Sequence, residues 1–148
     1  MCLSVRVGTK PETALKPITV YKRLRIKGAW PRGAKCLLSP YREHPYRFGE
    51  LMVVNQREWE HSLSMALDGF GVAYGFHAYS TLKRARHVAQ VYVPQWVFKA
   101  IIPAGAQFLR SAFDPEVVSN QMILARPMTW EELGGSPNVI SSDNYLAG

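Results

Sequence analysis

The segment Ile18–Ile26, ITVYKRLRI, constrains the fold more than any other part of the chain. Successive side chains of a strand point to opposite faces, so Ile18, Val20, Leu24 and Ile26 share one face, with Lys22 interrupting it. Tyr21, Arg23 and Arg25 share the other. This period reads as a β-strand whose apolar face needs a covering layer.

Further strand signals follow. A short apolar run spans Lys35–Ser39, the loop PYREHP spans Pro40–Pro45, and Phe48-Gly49 leads into a strand at Leu51–Val54. Trp96–Ile102 is a strand closed by the turn Pro103-Ala104-Gly105, with Gln107–Ser111 as its expected hairpin partner and Gln121–Ala125 as a third strand nearby. Two helices interleave. Asn55 is a fitting N-cap with Glu58 three residues on, and Trp59, Leu63, Ala66 and Leu67 recur at helical spacing until Gly69. Ser80 or Thr81 caps a second, basic helix carrying Lys83, Arg84, Arg86 and His87. The Trp59/Leu63/Leu67 stripe and the Trp96/Phe98 pair read as core. Strands outnumber helices and the late connections are short, so the fold class is α+β: an antiparallel or mixed sheet with two main helices packed against it. The expected organisation is an irregular N-terminal arm (1–17), one domain (18–133) and a polar tail (134–148) that opens after a short helical turn at Thr129–Glu132.

With 148 residues, of which 47% are hydrophobic and 20% charged, the chain has the size and composition of one globular domain. The N-terminus lacks a signal-length apolar run, no stretch approaches the roughly 18 apolar residues of a membrane span, and two cysteines make no scaffold. The expected compartment is cytoplasmic, with no membrane partner. Lys plus Arg number 18 against 11 acidic residues, a net charge of +7 that favours an anionic partner. That partner is a nucleotide-like small molecule, a nucleic acid or an acidic host protein.

The specific catalytic motifs are missing: no phosphate-binding Gly-Lys-Ser/Thr loop, no GxGxxG after a strand, no Gly-x-Ser-x-Gly. His44, His61, His77 and His87 are scattered, so neither a metal nor another cofactor is expected. Cys2 reads as an ordinary chain start rather than an N-terminal nucleophile. Two segments point to a ligand. Tyr21, Arg23 and Arg25 set a ring beside two guanidiniums, which suits phosphate with a stacked base. Phe76, His77 and Tyr79 lie on an aromatic strand that runs into Ser80 and the basic helix start, where free N–H groups and the dipole favour an anion and Arg84 follows closely. The expectation is binding rather than catalysis.

In order, Tyr21-Lys22-x-Leu24, Ser39-Pro40-Tyr41, Tyr46-x-x-Gly49, Gly75-Phe76-His77, Ile102-Pro103-x-Gly105 and Ser119-x-x-Met122 resemble a pattern in small uncharacterised phage and prophage proteins. The resemblance spans roughly residues 18–125, rests on short motifs, and implies a mobile-element accessory protein in a host bacterial cytoplasm. The order Arg23 or Arg25, Tyr79-Ser80-Thr81 and Ser119-Asn120-Gln121 is distantly similar to ADP-ribosyltransferases, which use NAD. That similarity implies a ligand role for Gln121 on a late strand. The chain departs from the pattern where Leu82 stands at the third position of the serine motif and Gln121 where a carboxylate is wanted. Without that carboxylate the scaffold would hold an ADP-ribose-like ligand rather than transfer it, unless Glu116 reaches the site.

Overall fold

The computed structural model of the chain describes residues 3–27, 36–38, 45–46, 48–91, 96–113 and 115–128. Its elements are β1 (Glu12–Thr13), β2 (Ile18–Lys27), β3 (Cys36–Leu38), β4 (Pro45–Tyr46), β5 (Leu51–Val53), α1 (Gln56–Leu67), β6 (Phe76–Tyr79), α2 (Leu82–Val91), β7 (Trp96–Ile102), β8 (Gln107–Arg110), β9 (Glu116–Ser119) and β10 (Gln121–Pro127). The sheet runs in the order β1-β8-β9-β6-β2-β7-β10-β5, with β3 and β4 attached beside β2. All pairings between named strands are antiparallel. The α+β reading holds, and the sheet is antiparallel.

Order and connectivity together dictate its shape. β9 and β10 stand four steps apart, which in a flat sheet is about 19 Å at the usual strand spacing. Yet only Asn120 separates them in the chain, and two Cα steps span at most about 7.6 Å. The sheet therefore curls until β9 and β10 become two halves of one kinked strand. At the kink the Ser119 hydroxyl donates to the Gln121 carbonyl at 2.7 Å, Asn120 N–H donates to the Gln107 carbonyl at 3.0 Å, and Val54 N–H donates to the Asn120 carbonyl at 2.9 Å.

Curling gives the sheet an inside and an outside. The inner cluster gathers residues from seven strands, Val20, Leu24, Phe98, Ile102, Met122 and Leu124 among them, all essentially without solvent contact. Each such burial stabilises by roughly 1.5–3 kcal/mol, less the ordering cost. The alternate residues face outward to the helices. Val117 and Phe108 join the inner cluster, while their neighbours Val118 and Leu109 pack with Trp59 and Ala66 of α1 and with Leu3, Val5 and Val72. Farther along the outer face, Ala85 and Leu82 of α2 pack on Tyr21, Tyr79, Val97 and Met128.

Helix ends follow the local chemistry. The Asn55 side chain accepts the Arg57 N–H at 2.9 Å, and α1 closes through Gly69 at φ 76°, with Phe70 N–H reaching the Met65 carbonyl at 2.9 Å. α2 is capped by Thr81, whose hydroxyl accepts the Arg84 N–H at 3.3 Å. Ser80 instead donates its N–H to the Pro115 carbonyl at 2.8 Å.

Three expectations are corrected. β8 is not the hairpin partner of β7: both edges of β7 are taken, by β2 and β10, so the chain beyond Gly105 crosses to pair with β1 and β9. Leu67 is 46% exposed, because the buried stripe of α1 runs through Trp59, Ser62 and Ala66. Residues 3–14 are less of an arm than composition suggests. Leu3 and Val72 exchange backbone hydrogen bonds, and Ala14 donates to the Ala106 carbonyl at 2.9 Å. The turn at 28–33, most of the loop 40–45, the helical turn 129–132 and the tail 134–148 lie outside the described residues, as do Cys2, His44 and the Arg25 and Trp96 side chains.

Gly75 shows how tightly the outer layer is built. It sits at φ 126°, and a Cβ there would meet Val118 Cγ2 at 2.5 Å and Trp59 Cζ3 at 3.1 Å. Gly75→Ala should cost about 2 kcal/mol or more in urea unfolding, whereas Gly105→Ala, at φ 88° in open space, should cost only about 1 kcal/mol.

Candidate ligand site on the outer sheet face

Residues paired directly across strands share a face. The pairings Tyr79↔Glu116, Tyr21↔Tyr79, Tyr21↔Lys99 and Lys99↔Arg126 therefore define one row across the outer face: Glu116, Tyr79, Tyr21, Lys99, Arg126. Arg23 lies one row along, opposite Val97. α2 lies against β2, β6 and β7, setting Leu82 and Ala85 on the aromatic middle of the row. Arg126 reaches this face only because β10 changes register between Leu124 and Arg126. Before the bulge Met122 and Leu124 point inward, and after it Met128 joins the outer cluster.

The structure thus brings together Tyr21, Arg23, Tyr79, Ser80 and Arg84, by packing rather than around an open aromatic platform. Tyr79 is 7% exposed and belongs to the core under α2, Tyr21 is half-buried beside it, and Arg23 is 5% exposed. Phe76 is 4% exposed and points to the inner cluster, away from this face. Neither Phe76 nor Tyr79 offers a free ring to stack on. Arg25 continues β2 opposite Leu38 of β3. Gln121 opens β10 opposite Val53, at the far end of that strand from Arg126, so it stands apart from the row.

What the face does offer is positive charge. Lys99 and Arg126 are neighbours on adjacent strands, Arg23 lies close by, and α2 adds Lys83, Arg84 and Arg86. Lys99 and Arg126 do not stand out in the sequence: one is a lone cation in an apolar strand, and the other depends on the bulge. Among the described residues no group of three or more His, Cys, Asp or Glu side chains could hold a metal ion, and no helix is long and apolar enough to cross a membrane.

Lys22, the residue that interrupts the apolar face of β2, lies on the inner side and is 5% exposed. Its Nζ donates to the backbone carbonyl of His77. Burial away from water, with the charge of Arg23 as a lesser cause, pulls its ammonium down to about 7 from 10.5. Comparisons of the chain with protein-family profiles, curated proteins and solved structures find no match.

The lowered value fixes a sign. Between about 7 and 10.5 the unfolded chain holds a proton on this lysine that the folded chain does not, so stability rises with pH across that window. Stability of the wild type in urea should climb from neutral to about pH 10. Lys22→Met, similar in length and uncharged, should flatten that segment of the profile.

Proposed function

We propose that this chain binds a phosphate-bearing ligand, such as a nucleotide or nucleotide-derived signal, at the basic rim of α2, and that it does so without catalysis. The observation that carries this reading is the Lys99–Arg126 pair across β7 and β10, on the face over which α2 adds Lys83, Arg84 and Arg86. Standing opposite one another on adjacent strands, the two cations are close enough for one anion to reach both. With Tyr79 and Phe76 in the core, recognition works through phosphate oxygens rather than through a stacked base. The resemblance of the short motifs to phage and prophage proteins implies a bacterial host cytoplasm as the setting for this reading.

Calorimetry against mono- and dinucleotides, cyclic nucleotides, ADP-ribose and pyrophosphate tests this. Binding should depend on the phosphates and weaken by about tenfold or more in the Lys99→Ala/Arg126→Ala double variant, with the melting temperature nearly unchanged. Absence of binding to every member of the panel sinks the reading. Affinity confined to long nucleic acid, falling steeply with salt whatever the sequence, would assign the face to a polynucleotide backbone instead.

One pairing favours a second reading, an ADP-ribosyltransferase-like enzyme using NAD. Glu116 stands directly opposite Tyr79, and Ser80 is bonded to the adjacent Pro115, so a carboxylate lies beside the serine segment that Gln121 does not approach. Incubation with labelled NAD and bacterial lysate decides it. Label transferred by the wild type and lost in Glu116→Gln supports an enzyme; no transfer, or transfer indifferent to Glu116, removes it.

A further inference from the structure

His77 sits on the outer face of β6, opposite Val118 of β9, and both of its ring nitrogens approach backbone carbonyls. Nδ1 lies 3.3 Å from the Gly75 oxygen and Nε2 lies 3.2 Å from the Val72 oxygen. The Val72 oxygen is shared, because it also accepts the Leu3 N–H at 3.0 Å, and Val72 N–H returns a bond to the Leu3 carbonyl at 2.9 Å. One imidazole thus ties β6 to the turn 71–75 and, through Val72, to the N-terminal segment. That segment plugs the outer core with Leu3 and Val5, 1% and 8% exposed, over Trp59, Leu109 and Val118. Ser62 holds the same turn independently at Tyr74, accepting its N–H and donating to its carbonyl.

A neutral imidazole donates to one carbonyl only, and a charged one donates to both. The carbonyl pair therefore invites a proton that the surroundings oppose. Burial is the main opposition. The ammonium of Lys22, bonded to His77's own carbonyl from β2, adds to it, and the charge at the chain's amino terminus contributes less. Beside the ring on β9, Val118 supplies no counter-charge. The balance holds the imidazole down at about 4.

We propose that His77 and Lys22 form an acid-sensitive latch: neutral His77 keeps the Val72 turn and the N-terminal segment on the sheet, and charging His77 beside Lys22 releases them. The sign follows from linkage. A histidine that binds its proton less readily when folded contributes stability that is present above 6.5 and is lost as pH falls through about 4. The loss appears first at the Leu3–Val72 pair, because Ser62 still holds Tyr74 and the Ser4 carbonyl and Gly8 N–H keep their bonds to Ala112 and Leu67, while the pair itself depends on the Val72 carbonyl that His77 shares. On release, water reaches Trp59 and Leu109.

Hydrogen exchange of the intact chain, corrected for the intrinsic effect of pH, tests the latch. Between about pH 7.5 and about pH 4.5 the amides of Leu3 and Val72 should lose about tenfold or more in protection, while those of β7 and β10 keep theirs. His77→Gln, which cannot charge, should abolish this local acid response. In Lys22→Met the His77 ring, followed by NMR, should titrate at a higher pH than in the wild type, which reads the coupling even if His77→Gln does not fold. Unchanged protection at Leu3 and Val72, an equal acid response in His77→Gln, or a His77 titration indifferent to Lys22 would each overturn the proposal.

Discussion

A single residue, Asn120, joins two strands that would lie about 19 Å apart in a flat sheet, and this covalent constraint governs the rest of the molecule. Because β9 and β10 must meet end to end, the path β9-β6-β2-β7-β10 closes on itself. Closure gives a short chain an enclosed apolar interior. It also forces β2 into the middle, with β6 and β7 on its flanks and a layer on each face. Every side chain of β2 described through Leu24, apart from Ile18, Thr19 and the half-buried Tyr21, is consequently buried, its two cations included.

Burying Lys22 and Arg23 on opposite faces of one strand is costly, and the chain meets that cost in different ways. Lys22 reaches a backbone carbonyl and loses basicity, so much of its charge is gone near neutral pH. Arg23 lies on the outer face, opposite Val97 of the cluster that α2 covers. The two helices divide the outer face. α1 and the N-terminal segment cover the β8–β9 end, α2 covers the β2–β7 end, and His77 stands on β6 between the two apolar clusters. Ligand binding on one side and release of the N-terminal segment on the other would thus share a strand.

Much of the fold was legible because local chemistry and tertiary packing agree. The alternation of Ile18–Ile26, the Asn55 cap, the glycine after α1 and the Trp96–Ile102 strand all reappear in the fold. The hairpin expected between β7 and β8 illustrates the limit. A tight turn at Pro103–Gly105 is a local fact, but which edge the next strand finds is decided by the closed sheet. The candidate site shows the same division. Alternation placed Tyr21 and Arg23 on one face correctly, yet it could not show that a helix would cover them. Arg126 owes its position to a bulge that no residue type announces, and Lys99 becomes notable only as its neighbour. Lys22 looked like a flaw in an apolar stripe, and it is the residue whose ionisation the closed sheet alters most plainly. Order along the chain put Gln121 beside the serine segment; register puts Glu116 there.

The closure is open to direct measurement by NMR. Antiparallel partners bring backbone protons close, α-protons where the pair is not hydrogen-bonded and amide protons where it is, so a monomeric, isotope-labelled sample should show cross-strand contacts between Tyr79 and Glu116 before Asn120 and between Ile123 and Ile101 after it, together with those joining Tyr21 to its neighbours. Both sets in one species establish that the two strands flanking Asn120 belong to opposite ends of a sheet that meets itself. Loss of either set, with β2 still paired, would mean an open sheet, and the enclosed interior and the outer face built upon it would both have to be abandoned.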